Sequence, residues 1–290
     1  MLPNMQHLKS NTSLLGGKHW IGIVLRIVSF DRMIITALFV LVPLLTMAQA
    51  SGGQITRKPQ VSRQTHSTST KKIVDNQERK KGLDELERIK TQGEALERNL
   101  EDELLRTNDS NKKLNILKNA SLTFERNKDF ERAISYYNRY LTLLPQQSID
   151  DLENIAKLYC KFADFYSEYR LNEYKKEMLI KADEVYKNIG QKFPIHEVYA
   201  TYQRASVNNK LDTNMEKGLA KPYYERIAQL LTGRANKTNG EKIMLKYSLH
   251  YLMSYAFLYE GNKAAAKRYA SEILAIDPDF APAVQIRDLP

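Results

Sequence analysis

Cysteine is almost missing: Cys160 is the only one in 290 residues. No internal disulfide can form, so any core must be held by apolar burial. Histidine is nearly as scarce, and the five present do not assemble into a ligand set. His196-Glu197 begins like the helix of a zinc protease, but Ala200 stands where the second histidine belongs. The chain has no G-x-S-x-G, no phosphate-cradling glycine loop and no C-x-x-C. No catalytic, cofactor-binding or metal-binding residues are therefore expected, and the chain reads as a non-enzyme. Cys160, with Tyr159 and Phe162 beside it, reads as a buried inert thiol. Strand-type alternation is lacking too. Apolar residues recur instead at helical intervals broken by short turns, which predicts an all-α fold.

What is present begins with a leader. Ile34 to Leu45, IITALFVLVPLL, follows Arg32 and precedes Ala48-Gln49-Ala50. That pattern predicts a signal peptide within residues 1–50, cleaved after Ala50, with Met33 as an alternative start; a retained anchor is the other reading. The expected location is an exported one, the periplasm of a Gram-negative bacterium, or the inner membrane if the leader stays. Cleavage removes four cations (Lys9, Lys18, Arg26, Arg32) and Asp31, lowering the net charge from +10 to +7. The remaining excess is spread through mixed-sign runs such as ERKKGLDELERIK, which excludes a clustered nucleic-acid surface. No cysteine follows the leader to accept a lipid. Membrane contact is expected only if the leader is retained.

Residues 51–76 are polar and low in apolar content, and read as a disordered linker. Residues 77–106 are densely charged, with Leu83, Leu86, Ile89, Leu96, Leu100 and Leu104 at helical spacing. Gly93 falls on that stripe and should weaken it, by roughly 1 kcal/mol relative to Ala. This helix either packs on the helices after it, the favoured reading, or pairs with a partner helix. TNDSNKK, Thr107 to Lys113, is a cluster of capping residues that should start the next helix.

Two distant segments share one spacing. Counting back from Pro145 and Pro278, Ala133 and Ala266 lie twelve residues earlier, and Tyr137 and Ala270 lie eight. Tyr140 and Ile273 lie five earlier, Phe124 and Phe257 twenty-one, and Ser121 and Ser254 twenty-four. Asp129 and Asn262, sixteen earlier, are placed to cap a second helix. Small residues let two helix backbones approach, aromatics fill the groove between them, and proline ends the second helix.

This pattern resembles the tetratricopeptide repeat, a helix pair of about 34 residues. The resemblance implies a right-handed superhelical solenoid of about four antiparallel pairs over residues 110–282. Its units would run 112–145, 150–194, 197–231 and 247–280, with a tail at 283–290. The last unit matches the pattern best, although His250 holds its preferred tryptophan position; packing against a neighbouring helix is the expected role of that histidine. The two middle units are degenerate: the second carries seven extra residues, and the third lacks a closing proline and has Pro222 near a helix start.

A solenoid of this kind implies binding of a protein, peptide or partner helix in its concave groove, as a scaffolding module of the envelope. Tyr199, Tyr202, Tyr251, Tyr255 and Tyr259 fall on first-helix faces that line the groove in that family. Tyrosine offers a large contact area with a polar tip. Those faces either form a recognition surface or are covered by an extra helix, Leu83–Leu104 or the tail beyond Phe280. Stacked tyrosines would equally suit an envelope glycan. Lys118 sits where the family grips a peptide carboxylate, but Leu122 replaces the asparagine that mode requires.

Overall fold

A computed structural model describes residues 64–290, with side chains from residue 73 onward. The leader and residues 51–63 of the expected linker lie outside the described residues. Among the described residues every regular element is helical and none is a strand. The described residues hold ten α-helices: α1 Gln64–Arg106, α2 Ser110–Arg126, α3 Phe130–Leu143, α4 Ile149–Glu168, α5 Asn172–Lys192, α6 Glu197–Leu211, α7 Lys221–Thr232, α8 Asn239–Leu258, α9 Lys263–Leu274 and α10 Ala281–Arg287. A 3-10 turn, Pro194–His196, joins α5 to α6. Among the described residues, 237–243 group separately from the unit formed by 64–236 and 244–290. Within them the Thr238 hydroxyl accepts from the Glu241 N–H at 3.2 Å, while the Glu241 carboxylate accepts from the Thr238 N–H at 2.8 Å. This reciprocal capping pair starts α8. The larger unit takes in α8 from Met244 onward and holds the helical hairpins.

Helices α2 to α9 form four consecutive hairpins. In the first, the Ser121 hydroxyl donates to the Ala133 carbonyl across the hairpin at 2.7 Å. Ala163 and Ala182, then Ala205 and Ala220, occupy equivalent places and are fully buried. The Asp129 and Asn262 side chains accept from the N–H groups of Arg132 and Ala265, capping α3 and α9. Ser148 and Asp151 form a capping box at the start of α4. Burial alone would raise the Asp151 pKa, yet hydrogen bonds from Ser148 and Tyr140 hold it below its ordinary value.

The seven extra residues of the second hairpin are absorbed as helix: α4 and α5 have 20 and 21 residues, against 17 and 14 in α2 and α3. Pro222 lies in the first turn of α7, where its missing N–H costs nothing. Three elements differ from the sequence reading. Helix α8 starts at Asn239 rather than 247. The tail contains α10, which packs on α9 and buries Ala283 and Ile286. Helix α1 starts at Gln64, inside the stretch read as linker; no glycine or proline interrupts residues 64–81, so a helix nucleated further on propagates back at little cost.

Helix α1 belongs to the body of the protein. Its inward stripe runs Gly82, Leu86, Ile89, Gly93, Leu96, Leu100, Leu104, with Leu86, Leu96 and Leu100 only partly buried; Leu83 is a neighbour of the stripe and is 44% exposed. Both glycines mark close approach. At Gly93 the Arg132 guanidinium of α3 reaches Glu97 at 2.6 Å, Asp129 at 2.7 Å and the Lys90 carbonyl at 3.0 Å. The Tyr136 hydroxyl donates to Glu101, which also pairs with Arg139. Apolar side chains of α1 enter two core clusters, one with α2, α3 and α4, the other with α3 to α6. A third cluster holds α6 to α10 together.

Candidate functional site

The first helices of the hairpins are α2, α4, α6 and α8, and polar bridges tie α2 to α4 and α4 to α6. Lys161 of α4 pairs with Glu125 of α2. Glu153 of α4, 5% exposed, pairs with Lys157 and accepts the Tyr199 hydroxyl of α6. The Lys210 ammonium of α6 reaches both Asp164 oxygens of α4, at 2.8 and 2.9 Å. Lys118 lies over the Tyr140 ring, 5.4 Å from its centroid. Between these paired charges Leu122 stays 41% exposed.

The five tyrosines singled out in the sequence do not share one open strip. Tyr199 is half-buried and tied to Glu153. Tyr202 and Tyr251 are 7% and 3% exposed and belong to the core that joins the last two hairpins. Tyr224, from the second helix α7, links them: its ring lies 6.3 Å from that of Tyr202 and 4.5 Å from that of Tyr251. The series continues outward through Tyr255 at 6.1 Å and Tyr259 at 5.4 Å, rings nearly parallel. Burial pushes the Tyr251 hydroxyl pKa upward, with the Asp212 charge acting the same way. Tyr259 is raised by burial and by Glu216 and Asp212, and fully buried Tyr224 lies well above its ordinary value.

What lies on the outer end of this series is neither α1 nor the tail. It is the connection between α6 and α7, residues 212–220. The Tyr259 hydroxyl donates to the Asn214 carbonyl. Gly218, at φ +62°, lies against the Tyr255 ring; a Cβ there would come within 2.6 Å of the Tyr255 oxygen and 2.8 Å of Cζ. The positive φ favours glycine, and any side chain there would press on the tip of the Tyr255 ring. Asp212, 7% exposed, accepts from the N–H groups of Lys217 at 3.0 Å and Leu219 at 3.3 Å. Sequence reasoning passed over Asp212, Asn214 and Gly218. Their only signal was an acidic residue closing a helix and a glycine six residues later, in a connection longer than the repeat needs.

The remaining candidates fall where packing puts them. Ala200 is buried and His196 is exposed in the 3-10 turn. His250 is 2% exposed, its ring edge-on to Phe280 at 5.1 Å. Burial pushes the Cys160 thiol up to about 11. Among the described residues no group of His, Cys, Asp or Glu is placed to hold a metal ion, and no helix is long and apolar enough to cross a membrane.

No family model matches the chain, and no curated protein does. Among solved structures it is similar to the apo form of the quorum sensor NprR from B. thuringiensis, at 13% identity and a TM-score of 0.33. That match covers 90% of this chain and 64% of the other, so the chain spans less than two thirds of that protein's length.

Proposed function

We propose that this chain is a non-catalytic interaction module, a tetratricopeptide-like repeat whose first-helix face takes a protein or peptide partner. One observation carries the proposal. Large apolar side chains stay exposed on that face, Leu122 on α2 at 41%, Leu258 on α8 at 37% and Tyr259 at 43%, while the charges between them are already paired. A partner then covers apolar surface without stripping water from lone ions. The leader-like run Ile34 to Leu45 supports placing the module in the cell envelope, as part of the same proposal. A sugar-stacking face finds no support in the tyrosines, because Tyr202 and Tyr251 are enclosed.

The test is a photo-crosslinking amino acid placed in the full chain at position 122, at 259, or at 195, where Ile195 is 90% exposed in the turn between hairpins. The expected result is a discrete protein adduct from position 122 in cells, with or without one from 259, and none from 195. Adducts from 195 alone, or from none of the three, remove this face from consideration.

A further inference from the structure

We propose that residues 212–220 are an autoinhibitory strap whose main chain stands in for a bound peptide on Tyr255 and Tyr259; this rests on the interaction reading above.

The strap occupies these tyrosines with backbone. A main-chain carbonyl, that of Asn214, takes the Tyr259 hydroxyl, and the residue on the Tyr255 ring is one without a side chain. An extended peptide meets an aromatic face in the same terms, offering carbonyls to the hydroxyl and a small residue to the ring. The partner chemistry that fits is therefore a peptide segment carrying glycine beside an accepting carbonyl.

Lifting residues 213–219 breaks no helix, because Ala220, fully buried and capping α7, stays in place as the far hinge. Residues 212–220 are a run of turns closed by Met215 N–H to Asp212 O at 2.9 Å, Gly218 N–H to Met215 O at 3.2 Å and Lys221 N–H to Gly218 O at 3.0 Å. The first two of these bonds, and the two to the Asp212 carboxylate, lie within residues 212–219, while the third ties the strap to Lys221 at the start of α7. What holds it down is the Tyr259 hydroxyl, the contact at Tyr255, buried Asp212 and Ala220 at its two ends, and partly buried Met215, which sits at φ +62°, a region unfavourable for a long side chain. At its far end Lys221 lies over the Tyr255 ring and pairs with Glu260 at 2.6 Å, a hinge-side anchor. Segments with few anchors and exposed backbone open at a fraction of the global unfolding free energy.

Two measurements on the full chain test this. Amide hydrogen exchange compares residues 213–219 with residues 249–256 in wild type, Gly218→Ala and Asp212→Ala. The first substitution strains the strap at a positive φ and crowds the Tyr255 hydroxyl; the second unties its internal closure and serves if the first fails to fold. Each protein is then panned against a random twelve-residue peptide library. Expected are strap amides exchanging at least roughly tenfold faster than those of α8 in wild type, and faster still in both variants. Glycine-containing peptides should be enriched on the variants over wild type, with the enrichment lost when Tyr255→Ala is added. Strap amides as protected as α8 in all three proteins overturn the proposal, whatever binds elsewhere on the chain. A strap that opens while no variant gains peptide binding overturns its autoinhibitory role, and adducts at position 122 then still decide the broader reading.

Discussion

Gly82 of α1 lies against Tyr169, at the end of α4, so closely that a Cβ on the glycine would come within 2.4 Å of Tyr169 Cβ and 2.7 Å of Cγ. Leu171 follows at 3.2 Å. The obstructing atoms sit at the root of the tyrosine side chain and cannot swing away. In a free helix, glycine to alanine stabilises by about 1 kcal/mol. Here overpacking, at about 1–3 kcal/mol, opposes that gain and wins. Gly82→Ala should therefore lower stability by up to about 2 kcal/mol in urea unfolding, despite improving helix propensity. A stabilised variant would mean that α1 does not dock at Tyr169.

Alkaline pH should unfold the protein by way of its buried tyrosines. Burial raises the hydroxyl pKa of Tyr137, Tyr166, Tyr224 and Tyr251 above the ordinary value. In the unfolded chain each ionises near pH 10, so above that the unfolded state loses protons that the native state retains. The stabilisation is whole below pH 10 and drains away as pH climbs toward the folded values. Helicity by circular dichroism should hold at pH 8–9 and fall above about pH 10 together with a rise in tyrosinate absorbance. Full ionisation of all 17 tyrosines with helicity intact would contradict the enclosed array.

Cys160 should be a poor nucleophile. With its thiol pushed up to about 11 by burial, beside a smaller favourable influence from Lys210, roughly one molecule in a thousand is thiolate at pH 8. Ellman's reagent should react about a hundredfold more slowly than with free cysteine, and at the ordinary rate once urea is added. Fast labelling of the native protein would show that the thiol is open.

Much of the architecture is legible along the chain because helix pairs are local. Ser121 meets Ala133 twelve residues away, and Asp129 caps the helix it precedes, so short-range spacing announces each hairpin. The stripe on α1 was harder to read. Gly82 and Gly93 occupy positions where a contact helix normally carries leucine, and the groups that fill the space, Tyr169 and Arg132, come from elsewhere in the chain. Leu83 drew attention because it is apolar, yet a rotation of one residue carries it off the buried face.

The tyrosines mark the same boundary. Periodicity puts Tyr251, Tyr255 and Tyr259 on one face of one helix, since i and i+4 must align on any α-helix. Whether that face meets solvent depends on Tyr224 arriving from α7 and on the 212–220 connection folding back. Helical spacing and hairpin order follow from interactions a few residues long, and composition alone was enough to set them. Burial is a property of surfaces brought together from distant positions, so only the tertiary packing decided which of these tyrosines became core and which lie beneath a loop.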